Sequence, residues 1–223
     1  MTSKWVRQVR AQRGYGVNWR FISLRLLNAT VDYDAQFPPE YEAGHTAGLR
    51  LLRVAARTRA EHGPDALDRL YGALGRAIFE RAPGDGAPEG AERGRRAFLA
   101  PILEQVELPA ELADALEDTC WDLTIQAETD RALALTGKDV GTPILQFGPP
   151  DGVAFFGPVI SRLPSEEQAL PLWDHVVGLA GFPGFAELKR SLRERPQLAS
   201  FGVRGDEAGV QEDWHGGSRR QHR

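Results

Sequence analysis

The stretch Asp139–Gly148, "DVGTPILQFG", decides how the chain is read. Proline has no backbone N–H and is kept to the first residue or the edge of a strand. Pro143 nevertheless opens a compact apolar run of Ile144, Leu145 and Phe147. A Gly-Thr-Pro entry to a strand is either a plain strand start or a turn built around a cis proline, and cis bonds tend to be kept for a purpose. The next apolar run, "GVAFFGPVI" from Gly152, is joined to the first by "GPPDG", Gly148–Gly152. Pro-Asp-Gly between two apolar runs predicts a β-hairpin.

Downstream, Ser165 and Gln168 have the spacing of a capping box with Pro164 just ahead, which predicts a helix to about Ala180. "GFPG" breaks it, and Phe185–Arg195 reads as a last amphipathic helix. Val203–Arg223 is polar and aperiodic and is expected to be disordered. Upstream, Ser3–Arg13 reads as a helix capped by Ser3, with Trp5, Val6 and Val9 on one face and Gly14 and Gly16 at its end. "VNWRFISL", Val17–Leu24, alternates as a strand does. From about Glu40 to Leu135 the pattern is helical. Leu67, Leu70, Tyr71, Leu74 and Ile78 make its clearest stripe. Phe98, Leu99, Ile102 and Leu103 make another, with Pro101 within it. A short helix is expected from Pro109 and a long one stopping at Gly137. The Gly-, Pro- and charge-rich "APGDGAPEGAERG", Ala82–Gly94, interrupts the block as a loop.

The bulk numbers exclude several classes. The chain has 223 residues, 42% hydrophobic and 26% charged, with a formal net charge of −4. No basic field argues for nucleic acid, and binding the phosphate backbone needs one. Apolar runs are short and broken by charge, so no membrane span is expected. The N-terminus lacks the apolar core of a signal peptide, which reads as cytoplasmic. His45, His62, His175, His215 and His222 show no metal-ligand spacing, and "RGRRAF" and "SRRQHR" read as solvated basic faces. Cys120 is the single cysteine, so this sequence holds neither an internal disulfide nor a CxxC pair.

The order helix, strand, helical block, strand, strand, helix is that of a thioredoxin fold with its first strand absent and helices inserted. The residues carry a resemblance as well. "TSKWVRQV", "FISLRLLN", "PPEYEAG", "LPAELADAL", "DVGTPILQFG", "GVAFFGPVIS" and "LWDHVVGLAGFPGFAELKR" resemble the actinobacterial DsbA-like mycothiol-dependent nitroreductases, in order over roughly Thr2–Pro196. The resemblance implies an α/β, thioredoxin-like (DsbA-type) fold with an all-helical insertion. Residues 1–30 and 136–200 would form the thioredoxin-like part, 31–135 the insertion and 201–223 the disordered tail. It also implies thiol–disulfide chemistry with mycothiol as reductant and a small nitro compound or disulfide as substrate; no metal is expected, on the histidine spacing.

Members of that family carry a Cys-Pro-Trp-Cys motif a few residues before the segment that Thr2, Ser3, Lys4 and Trp5 resemble. No catalytic residue is therefore assigned within this chain, and the CxxC is expected upstream of Met1. Two expectations follow: a true start further upstream, supplying the first strand and both thiols, or a truncated, inactive remnant. Thr142 and Pro143 are the thiol-binding candidates by resemblance. The Thr142–Pro143 bond would be cis, facing the cysteine pair, and Thr142 would pair its backbone with the bound thiol. Without the resemblance, Pro143 is a trans proline starting a strand. Asn28 would lie beside the same site and line a substrate pocket; it equally suits a loop cap.

Other residues have plainer readings. Cys120 reads as a small buried hydrophobe rather than a resolving thiol. Ser3 reads as a helix cap rather than a nucleophile. Trp19, Phe155, Phe156 and Trp173 read as core more readily than as walls of an aromatic pocket. Two other functions compete with the leading one. One is a relative of 2-hydroxychromene-2-carboxylate isomerase or kappa glutathione transferase, which uses a bound thiol without a cysteine pair. The other is a non-catalytic thioredoxin-like scaffold whose open sheet edge binds a partner.

Overall fold

A computed structural model of the chain describes residues 1–38, 40–82, 90–137, 141–189, 193–194, 196–203 and 211–212. It is helix-rich with small antiparallel strand pairs, and it divides into two compact units: residues 1–17 with 132–223, and residues 18–131.

In the first unit, α1 (Thr2–Arg13) buries Trp5, Val6 and Val9, the face that the sequence marks. It starts one residue earlier than expected. Met1 is the N-cap, the Met1 carbonyl accepts from the Lys4 and Trp5 amides, and no side chain caps the helix. Ser3 is therefore inside the first turn and is not the cap. Gly14 ends α1 in the left-handed region at φ 68°, where an L side chain is disfavoured. β1 (Ile144–Gln146) and β2 (Ala154–Phe156) form the expected hairpin, with Leu145 opposite Phe155. Its turn admits only glycine at residue 152: a Cβ there would stand 1.6 Å from the Phe147 carbonyl oxygen. α7 (Glu166–Ala180) starts at Ser165, whose hydroxyl and the Gln168 side chain form both halves of the capping box.

α1 and α7 are tied together along their length. The fully buried Trp5 donates its indole N–H to the Ala169 carbonyl at 2.9 Å and meets Trp173 edge-on at 5.6 Å. Arg13 closes the other end on Asp174 through both guanidinium nitrogens.

The last helix expected over Phe185–Arg195 is not present among the described residues. Residues 185–189 are irregular, and β3 (Arg193–Glu194) pairs antiparallel with β4 (Gln211–Glu212). Residues 190–192 and 195 lie outside the description. The reason is packing. A short helix is marginal unless its apolar face is buried, and Leu188 is 81% exposed while Phe185 stacks instead on Phe155 at 5.7 Å. β4 falls within the segment expected to be a disordered tail; residues 204–210 and 213–223 of that segment lie outside the description.

The second unit is helical. α2 (Leu24–Leu27) and α3 (Tyr33–Gln36) are single turns capped by Ser23 and Asp32. α4 (Glu40–Phe79) is two helices meeting at Gly63, which takes φ 84°, with Pro64 opening the second half. α5 (Arg96–Gln105) carries Pro101, and α6 (Asp122–Thr136) runs on into the first unit, ending at Gly137 as expected. 3₁₀ helices cover Gly90–Gly94, Ala110–Leu116 and Thr119–Trp121. Of the loop expected between α4 and α5, residues 83–89 lie outside the description.

One core of this unit packs Val54, Leu70, Leu99, Leu103 and Leu112; a second gathers Phe21, Leu49, Leu67 and Ile125. Arg53 runs beside them, holding Asp122 through Nε and Nη2 at 2.7 Å each and the Leu116 carbonyl at 3.1 Å.

Val17–Leu24 is not a strand. Residues 14–23 are irregular, and residues 18–30, grouped by sequence with the thioredoxin-like part, lie in the helical unit. The alternation is real, since Phe21 is 4% exposed, but α6 supplies the backbone partners. Phe21 N–H donates to Glu128 Oε2 at 2.8 Å and Ser23 N–H to Thr129 Oγ1 at 3.1 Å. A buried amide needs an acceptor, and a side chain satisfies it as well as a ladder does.

Candidate functional site

The loop Gly141–Thr142–Pro143 leads into β1; Asp139 and Val140 lie outside the description. The Thr142–Pro143 peptide bond is cis, as are Pro149–Pro150 and Gly157–Pro158. Gly141 sits against the Phe156 ring, where a Cβ would come within 3.3 Å of it. Across the hairpin, Gly157 N–H donates to the Pro143 carbonyl at 2.8 Å. Next in the chain, the Pro158 carbonyl accepts from the Thr2 hydroxyl at 2.8 Å. Two hydrogen bonds and one peptide unit therefore link Pro143 to the first turn of α1.

That turn has chemistry to offer. It carries no acidic residue and its N-cap makes no side-chain hydrogen bond, and it presents the positive end of the helix dipole. A helix start of this kind favours an anion or a thiolate. Thr142, next to Pro143, is exposed. These groups suit the recognition of a thiol compound. They do not suit thiol exchange by themselves, because residues 1–17 and 132–223 contain no cysteine.

The other sequence candidates belong to the second unit. Asn28 is buried in the second unit. Its Nδ2 donates to the Leu24 carbonyl at 2.9 Å and its own N–H to the same oxygen, so it closes α2 as a loop cap. Cys120 is exposed in the 3₁₀ turn ahead of α6, not buried in the core. The turn faces outward because Asp118 caps it, taking the Cys120 N–H at 3.0 Å. The hydrogen bond and the charge of Asp118 push the Cys120 thiol up, away from the thiolate.

The four aromatics are accounted for within their own units. Trp19 donates to Asp68 at 2.5 Å and packs on Tyr71. Phe155 stacks on Phe185, Phe156 is 40% exposed, and Trp173 is buried against Trp5 and Phe147.

Sequence reasoning missed the Thr2–Pro158 contact, for which the only signal was a hydroxyl at the helix start. It also missed the ring cluster of Tyr33, Phe37, Tyr41 and His45, which an aromatic at every fourth residue could have suggested. Among the described residues, no group of three His, Cys, Asp or Glu is placed to hold a metal, and no helix is long and apolar enough to cross a membrane.

A family model described as mycothiol-dependent nitroreductase Rv2466c, of the Rv2466c-like family, matches residues 1–190. The uncharacterized protein Rv2286c of Mycobacterium tuberculosis is 35% identical over 190 residues, which cover 85% of this chain and 75% of that protein.

Proposed function

The chain belongs to the Rv2466c-like family of mycothiol-dependent nitroreductases, and from that premise we propose that its first unit is the thiol-recognition half of a DsbA-like, thioredoxin-type oxidoreductase. The observation that supports the reading is the link from Pro143 through Gly157 and Pro158 to Thr2, in the first turn of a helix whose N-cap makes no side-chain hydrogen bond. Thr142, Pro143 and the first turn of α1 would hold mycothiol. When bound, it supplies the reducing thiol. The chain's own residues then bind and orient it: Thr142 through its backbone, and α1 by favouring the ionised sulfur.

The substrate is a small nitro compound or a disulfide. Exchange through a cysteine pair needs two thiols, and Cys120 is the single one, exposed and held protonated. The chain as it stands therefore recognises the thiol without turning substrate over.

The test combines binding and turnover. Mycothiol is titrated into the labelled chain and amide shifts are followed at Thr142, Ile144 and the first turn of α1. Reduction of a nitro substrate by mycothiol is then measured for this chain and for one extended upstream by a Cys-Pro-Trp-Cys segment. Shifts confined to those residues, with turnover only in the extended chain, are the expected result. Shifts absent there, or equal turnover in both chains, overturn the reading; equal isomerase-type activity in both points to the thiol-using isomerases instead.

A further inference from the structure

The cluster around His45 is built from residues of the second unit. α3 is a four-residue helix, too short to persist unless something holds it. What holds it is aromatic. The Tyr33 ring meets Phe37 at 5.1 Å and His45 at 5.7 Å, and Phe37 stacks on Tyr41 at 5.6 Å. His45 is the hub: its half-buried imidazole touches the rings of Tyr33, Phe37 and Tyr41, and its Nδ1 lies 2.9 Å from the Tyr33 hydroxyl. Tyr33 is 8% exposed, so this hydroxyl depends on a protein partner. Arg25 stands 5.2 Å over the other part of the cluster, the Tyr33 ring, and pairs with Glu42 at 3.3 Å.

We propose that Tyr33 and His45 form a proton-operated latch: neutral His45 holds α3 and the Phe37 ring against the head of α4, and protonation of His45 releases them.

With its proton on Nε2, the neutral imidazole uses the Nδ1 lone pair to accept the Tyr33 hydroxyl. A proton taken from solvent occupies that lone pair, and Nδ1 becomes a donor. The new N–H can turn to the Tyr33 oxygen, but an imidazolium then stands among rings beside the Arg25 guanidinium. The groups facing His45 are Arg25 from α2, Tyr33 from α3 and Tyr41 from α4, with Glu42 of α4 engaged by Arg25. None of them is an acid free to balance the new charge. Burial first and the Arg25 charge second push His45 below its ordinary value, so the folded cluster favours the neutral ring.

The sign follows. A histidine depressed on folding leaves stability whole above its unfolded value, and stability falls as pH drops from there through the folded value. The latch therefore opens on the acid side of neutrality.

Hydrogen exchange of the Gln36 and Phe37 amides tests this on the full chain, because those amides close α3 onto the Asp32 and Tyr33 carbonyls. Protection is followed from about pH 8 to about pH 5, the range in which histidine titrates, and corrected for intrinsic exchange. A several-fold loss of α3 protection is expected, with the amides of α5 unchanged. His45→Gln, which keeps an acceptor but cannot titrate in that range, removes the pH dependence. Arg25→Gln leaves the dependence but shrinks it. A flat α3 profile in the natural chain, an equal loss in His45→Gln, or an imidazole titrating above the ordinary histidine value overturns the proposal.

Discussion

The Glu128 carboxylate accepts the Phe21 backbone N–H at 2.8 Å and takes Arg59 Nη2 at 2.7 Å and Arg20 Nη1 at 3.0 Å. One side chain of α6 thus does for residues 19–21 what a neighbouring strand does elsewhere, and the same Arg59 lies 4.2 Å over the Phe21 ring.

Burial pushes the Glu128 carboxyl up, but Arg59, the Phe21 amide and Arg20 outweigh it and hold the group below its ordinary 4.5. A carboxylate depressed on folding contributes stability above its unfolded value, and the contribution is lost as pH falls through the folded one. Glu128→Ala is expected to cost about 2–4 kcal/mol at neutral pH, because Arg59 and the Phe21 amide both lose their partner. The difference from the natural chain narrows in acid. Urea unfolding at about pH 7 and about pH 4 checks both points; an unchanged midpoint in the variant at neutral pH contradicts the account.

Trp5 is expected to matter for its indole N–H as well as its bulk. Trp5→Phe keeps most of the ring and loses the bond to Ala169, at a cost of about 1–2 kcal/mol. Trp5→Ala also leaves a cavity between α1 and α7 and costs about 3–5 kcal/mol. Thermal unfolding of the two variants should rank in that order, and equal losses would show that the hydrogen bond contributes nothing.

Gly152→Ala places a methyl where the Phe147 carbonyl already stands. The turn must open, and with it the Phe147 amide bond to the Val153 carbonyl at 2.9 Å. A loss of more than about 2 kcal/mol is expected, with exchange protection falling first at Leu145 and Phe155. Gly48→Ala has open space around it in the middle of α4 and serves as the contrast: it should be neutral or stabilising.

Cys120 is expected to react slowly with iodoacetamide at neutral pH despite its exposure, since Asp118 disfavours the thiolate. Asp118→Asn should speed alkylation several-fold. Equal rates in the two proteins would show that the Asp118 contact does not control the thiol.

Legibility followed the distance over which each feature is decided. The Ser165–Gln168 capping box, the Gly137 helix stop, the Pro-Asp-Gly hairpin and the buried face of α1 were all readable, because each is set by residues within a turn or two of one another. The alternation of Trp19 and Phe21 was also readable as burial. What it could not say was which acceptor the Phe21 amide would find. For the candidate site, Thr142 and Pro143 were picked out by their flanking residues, and their thiol-binding role is a proposal. Asn28 looked equally suited to a pocket or a cap; its bond to the Leu24 carbonyl, which the sequence could not show, makes it a cap of α2. Cys120 was misread because burial was inferred from residue type, while Asp118 turns its loop outward.

The sequence by itself determined α1, the long helices of the second unit, α7, the hairpin, the single cysteine and the motifs that mark the family. Only the tertiary structure decided that residues 17–24 would take no ladder, that the Thr2 hydroxyl would reach the Pro158 carbonyl, and that Tyr33 would close on His45. The physical reason is that a buried N–H or O–H must find an acceptor, but any well-placed oxygen or nitrogen will serve. For Phe21 that acceptor lies 107 positions along the chain, and for Thr2 it lies 156. No local pattern records which distant group the folded chain brings within reach.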